Sequence, residues 1–207
     1  MRQTAALGRI LVPVWLMLGL VPAEAQDELA ALRPEAVRAA YEVARADRDH
    51  DLMPLAGIVV AEVDKAFFDR PAGRSVLTRD VAMIYRPSDG RALAMSFAVA
   101  RALTREEIID WWMHGVFLGQ GCYGIDRGAA AYFGETPAGL STADAAALVA
   151  LAVAPGRLAA KPDRLTERRD HILRTMAEMG QLTPEQLEQN LDLQLGLRDP
   201  LGVCAPG

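Results

Sequence analysis

From Arg33 onward the apolar positions follow a helical spacing nearly everywhere, with no run of alternating β-branched residues and no Asn-Gly hairpin signal. The expected class is all-α. Pro34 suits the first turn of a helix running to Ala46, because no amide donor is needed there. Asp47-Arg48-Asp49-His50-Asp51 is a polar break, read as a solvated connection because no second ligand group accompanies the acids to make a metal cluster. Thr104-Arg105-Glu106-Glu107 and Thr183-Pro184-Glu185-Gln186 each put a hydroxyl at a cap and a carboxylate or amide three residues on, the pattern of a capping box. Ser141-Thr142-Ala143-Asp144 is a weaker version. It precedes Ala145-Ala146-Ala147-Leu148-Val149-Ala150-Leu151-Ala152, apolar all round and hence expected as a central buried helix. A later helix, from about Asp163, carries Ile172, Leu173, Met176 and Met179 on one face and stops at Gly180. Beyond about Leu197 the remaining chain is short and rich in Gly and Pro, so residues 198–207 are expected as a loosely held tail.

Composition narrows the class of partner. The 207 residues carry 22 Lys+Arg against 27 Asp+Glu, a net charge of −5, and no long basic run, which argues against nucleic acid. Arg2 and Arg9 precede the apolar segment 10–21, and Ala23-Glu24-Ala25 closes it, in the order of a secretory signal cleaved after Ala25. An uncleaved membrane anchor is the alternative. Cleavage leaves 20 basic and 26 acidic residues, a net charge of −6, in one exported, periplasmic domain over residues 26–197. Export makes a Cys122–Cys204 bridge an option, with two unpaired thiols as the other.

A more specific signal lies in the middle of the chain. Leu103-Thr104-Arg105-Glu106-Glu107-Ile108-Ile109-Asp110-Trp111-Trp112 leads into Val116-Phe117-Leu118-Gly119-Gln120-Gly121-Cys122-Tyr123-Gly124-Ile125 and then Tyr132-Phe133-Gly134. With the Ala-rich helix and Arg168-Arg169-Asp170-His171-Ile172-Leu173, this resembles the second half of the peptidoglycan glycosyltransferase (transglycosylase) domain of penicillin-binding proteins. The resemblance implies a lysozyme-like helical domain acting on the lipid-linked saccharide lipid II or on peptidoglycan glycan strands, at or near a membrane surface, with no metal and no cofactor. It also implies a carboxylate as general base on the acceptor hydroxyl and basic groups on the departing pyrophosphate.

The first half of the family pattern is eroded. Adjacent Glu-Asp before an aromatic residue becomes Glu62-Val63-Asp64-Lys65-Ala66-Phe67, so matching Phe67 aligns Asp64 and leaves Val63 in the Glu position. Glu62 is then one residue early, about 100° around a helix. Arg70 and Gly73 are the nearest counterparts of the His and Gly that follow. In the second motif Ser75 and Thr78 survive, while Arg79-Asp80 replaces paired Gln and offers an ion pair or a new anion contact. The third motif falls at Asp89-Gly90-Arg91-Ala92, without its Lys and Glu; Arg86 and Arg91 remain as positive charges. The family's Asn is His114, read as a packing residue rather than an acid or base, and of Trp111 and Trp112 at most one can face a sugar.

Three functions stay open. A catalytically impaired relative would bind glycan, lipid II or a cell-wall synthesis partner. A working glycosyltransferase would use Glu62 as base with Asp64 beside it and Ser75, Thr78, Arg79, Arg86 and Arg91 on the substrate. A glycan-cleaving enzyme would use Glu62 as its acid.

Overall fold

The computed structural model describes residues 33–46, 48, 50–83 and 91–204. Among these, ten α-helices and one two-stranded hairpin follow in the order α1 (Pro34–Ala46), α2 (Ala56–Val63), α3 (Val76–Met83), α4 (Ala92–Ala102), α5 (Arg105–Gly115), β1 (Phe117–Gly119), β2 (Cys122–Tyr123), α6 (Ile125–Tyr132), α7 (Thr142–Leu151), α8 (Pro155–Ala159), α9 (Pro162–Glu178) and α10 (Pro184–Asp192). The all-α expectation holds. The leader segment, Arg86 and the end of the tail lie outside the described residues.

Helix α7 is the axis of the core. Ala143 and every residue from Ala145 to Leu151 are buried, and α2, α6 and α9 pack around it. The small Ala side chains let neighbours come close, while Leu148, Val149 and Leu151 each contribute about 1.5–3 kcal/mol of burial. Its start is capped by Ser141, which accepts from the Asp144 amide at 3.0 Å. Both sequence-predicted capping boxes form: Thr104 with Glu107 starts α5, and Thr183 with Gln186 starts α10. Helix α9 stops as expected at Gly180, whose φ of 72° is open to a residue without Cβ.

Two features exceed the sequence expectation. The hairpin β1–β2 turns through Gly119, Gln120 and Gly121, all at positive φ, and the Tyr132 hydroxyl donates to the Leu118 carbonyl at 2.7 Å to hold it on α6. The segment expected as a loose tail is pinned through residue 204. The amides of Arg198, Gly202 and Cys204 donate to the carbonyls of Tyr132, Ala131 and Gln120 at 2.8, 2.9 and 3.0 Å, and Cys204 is disulfide-bonded to Cys122. Upstream, the buried Arg169 donates to the carbonyls of Leu191 at 3.1 Å and Leu193 at 2.5 Å. The tail thus obtains its order from backbone hydrogen bonds and one covalent link, neither of which hydropathy reports.

The N-terminal helix is latched by charge. Arg38 donates to both Glu107 oxygens, at 2.6 and 2.9 Å, and the Tyr41 hydroxyl donates to Asp110 at 2.9 Å. Arg48 also donates to Asp110, and His50 pairs with Asp126 at 2.8 Å. His114 stands between Asp110 and Asp126, at 3.5 and 3.4 Å. Burial works to lower its pKa, but the two carboxylates outweigh it and hold the imidazole above its ordinary range. The histidine expected as a packing residue is largely buried and, between the two carboxylates, joins α5 to α6.

Candidate active site

Helix α2 carries Glu62, and its direction is decided by what surrounds it. Ile58 to Ala61 are buried, and α2 lies against α9, where the Arg168 guanidinium donates to Glu62 at 2.8 Å. The Glu62 side chain is 1% exposed. Burial raises its carboxyl above the ordinary range, with Arg168 opposing. Lys65, the nearer cation in sequence, pairs with Glu178 instead.

Asp64 points the other way. It ends α2, and its carboxylate accepts from the Val76 amide at 2.8 Å, at the first turn of α3, with Arg70 at 3.8 Å. Its side chain is 2% exposed, at the floor of a shallow concavity beside Lys65, Asp69 and Arg70. A carboxylate on the free amides of a helix start is a favourable charge placement. Ser75 completes that cap by accepting from the Thr78 amide at 3.1 Å. The intervening turn is pinned by Arg105, which donates to the carbonyls of Phe67 and, at 2.7 Å, Arg70, with its guanidinium 5.2 Å from the Phe67 ring centre. Sequence reading missed Arg105, because its partners lie more than thirty residues away.

Of the substrate-binding candidates, Ser75 and Arg79 share an open groove of about 550 Å³ with Gly73, Arg74, Leu93 and Ser96. Thr78 is fully buried beneath it, its hydroxyl without a partner among the described residues. Arg91 sits at the start of α4, one residue before the lining residue Ala92. None of the described residues lining this groove is acidic, and neither Glu62 nor Asp64 lines it beside Ser75 and Arg79.

A second groove, about 310 Å³, lies between α3, α5 and the hairpin. Asp80, Met83, Trp112, Val116, Phe117 and Pro155 are among its lining residues. The Trp112 indole donates to Asp80 at 3.4 Å, while Arg79 is 3.9 Å from the other oxygen. Trp111, one residue earlier, packs instead on Tyr41 with ring centres 5.5 Å apart. The two adjacent indoles thus point to different faces of α5, one to α1 and one to the groove. The exposed Phe117 and Tyr123 rings lie 4.9 Å apart on the hairpin.

Residues 55–177, α2 through nearly the end of α9, match the model of the family described as Transglycosylase. The chain belongs to the transglycosylase family. It is 28% identical over 195 residues to a candidate transglycosylase of Cupriavidus necator, covering 90% of this chain and 80% of that one. It is also similar to penicillin-binding protein 1A of Aquifex aeolicus, 32% identical over 106 residues, and of Pseudomonas aeruginosa, 32% over 117 residues. The chain spans only 15% and 14% of the length of those two relatives. Within the transglycosylase segment lie the Glu62–Arg168 pair and both grooves; α1, α10 and the pinned tail are additions to it.

Proposed function

We propose that the chain is an exported, glycan-binding member of the transglycosylase family that does not polymerise lipid II. The observation that carries this reading is the engagement of both motif-one carboxylates: Glu62 is buried on Arg168, and Asp64 is consumed by the start of α3. A general base must reach the hydroxyl it deprotonates, and general-base catalysis typically supplies about 10²- to 10⁴-fold. Absence of the motif-three Lys and Glu removes further groups that act on the pyrophosphate. The family and the two open grooves support saccharide as ligand, either glycan strands or the sugar portion of lipid II at the membrane surface, with a cell-wall synthesis protein as an additional partner.

Export to the periplasm, with the leader ending at Ala25, is supported by the basic, apolar and Ala-x-Ala order of residues 2–25 and by the Cys122–Cys204 bridge, which persists in oxidising compartments. No helix among the described residues is long and apolar enough to cross a membrane. The test has two arms. The chain is sedimented with purified sacculi, and separately incubated with radiolabelled lipid II in detergent. Co-sedimentation without glycan-strand formation is expected; strands formed by the chain, or failure to sediment with sacculi, would overturn the reading.

A further inference from the structure

Asp80 faces a cavity lined also by the Trp112 and Phe117 rings, with the Trp112 indole at 3.4 Å and Arg79 at 3.9 Å as its side-chain partners. It lies on α3 at the edge of the smaller groove, whose walls are Trp112, Val116, Phe117 and Pro155. Met83, Phe117, Tyr123 and Val153, all exposed, surround the opening or adjoin its lining residues. Concave apolar sites with a single well-placed polar group are the usual form of small-ligand pockets, and aromatic rings offer flat faces to the C–H side of a pyranose. Burial raises the Asp80 carboxyl above the ordinary range and the charge of Asp64 adds to it, against the Trp112 hydrogen bond and Arg79. A carboxyl whose pKa is raised by its apolar surroundings is better suited to act as an acid.

We propose that Asp80 donates a proton to a glycosidic oxygen seated in this groove, giving the chain a glycan-cleaving activity. The proposal rests on the glycan-binding reading and moves the acid role away from Glu62. Cleavage breaks the bond between C1 of one sugar and the bridging oxygen, and the Asp80 proton passes to that oxygen, which departs as a hydroxyl. The C6 hydroxyl of the cleaved sugar then bonds to C1 and returns its proton to the Asp80 carboxylate. No water is consumed, the product ends in a 1,6-anhydro ring, and Asp80 is restored. This internal route fits the groove because Asp80 is the sole carboxyl among its described lining residues, leaving no second one to activate a water.

The experiment incubates the chain, Asp80→Asn and Trp112→Phe with purified sacculi, and follows soluble muropeptides by mass together with protein co-sedimentation. The unmodified chain is expected to release 1,6-anhydro products, with a rate that falls as pH rises through the Asp80 pKa. Asp80→Asn is expected to release at least about 100-fold less while unfolding as cooperatively as the unmodified chain. Trp112→Phe removes the indole donor and is expected to move the fall in rate to higher pH. Equal release by Asp80→Asn overturns the proposal. Co-sedimentation of the unmodified chain without any release overturns it too, and leaves the glycan-binding reading standing. Absence of co-sedimentation overturns both.

Discussion

Glu62 and Asp80 are both half-apolar in their surroundings, and what separates them is a partner. Arg168 neutralises Glu62 inside the α2–α9 contact, whereas Asp80 has only an indole N–H and a distant Arg79 beside an open groove. Glu62→Ala removes a buried side chain but leaves Arg168, 38% exposed, in reach of water, so it is expected to cost about 1–3 kcal/mol in urea unfolding. Asp80→Asn is expected to stay within about 1 kcal/mol, because its side chain is 39% exposed. The misalignment of Glu62 was visible in the sequence as a 100° rotation on a helix. Its partner was not, since Arg168 is 106 residues away and becomes a neighbour only when α9 packs on α2. Asp80 was visible as a substitution, but the groove it faces is assembled from α5, the hairpin and Pro155.

At the scale of elements, local signals were read well and long-range ones were not. The Thr104 and Thr183 boxes, the buried α7 and the Gly180 stop all depend on residues within one or two turns. The hairpin has only five strand residues and turns through glycines, too short for an alternating pattern to register. The tail was misread because its order comes from partners in α6 and the hairpin. The Cys122–Cys204 bridge closes 82 residues of chain, so its reduction, or Cys204→Ser, is expected to lower stability by about 4–5 kcal/mol on the chain-entropy account. Equilibrium unfolding with and without reductant measures this.

The α1 latch carries a pH signature. Because the His114 pKa is raised from 6.5, its contribution is complete below that value and is lost as pH rises through the folded-state pKa. The neighbouring His114, and the Tyr41 hydroxyl in the case of Asp110, hold Asp110 and Asp126 low against burial, so their contribution is present above the ordinary carboxylate range and lost as pH falls through the lowered pKa values. Stability is therefore expected to peak at mildly acidic pH. His114→Asn is expected to abolish the decline on the alkaline side, as read by thermal unfolding between about pH 5 and pH 9.

Taken as a molecule, the chain keeps the transglycosylase core and ties its motif-one carboxylates to Arg168 and to the start of α3. Residues 55–177 form the family segment, while α1 is fastened outside it by the Arg38, Tyr41 and Arg48 contacts and the tail by backbone bonds and a disulfide. Those fastenings brace two helices, α5 and α6, and the hairpin that bears Phe117 and Tyr123, so the smaller groove is supported from both ends of the chain. The acidic balance suits this arrangement, because a neutral saccharide needs none of the concentrated positive charge that a pyrophosphate does. The central claim is that Glu62 is a structural residue in a glycan-binding fold. Its most direct test is the affinity for sacculi of a double variant, Glu62→Leu with Arg168→Met, in which apolar side chains replace the ion pair. Such replacements are often neutral or stabilising, so the variant should unfold cooperatively and bind sacculi as tightly as the unmodified chain; a variant that stays folded but loses glycan binding would contradict the account.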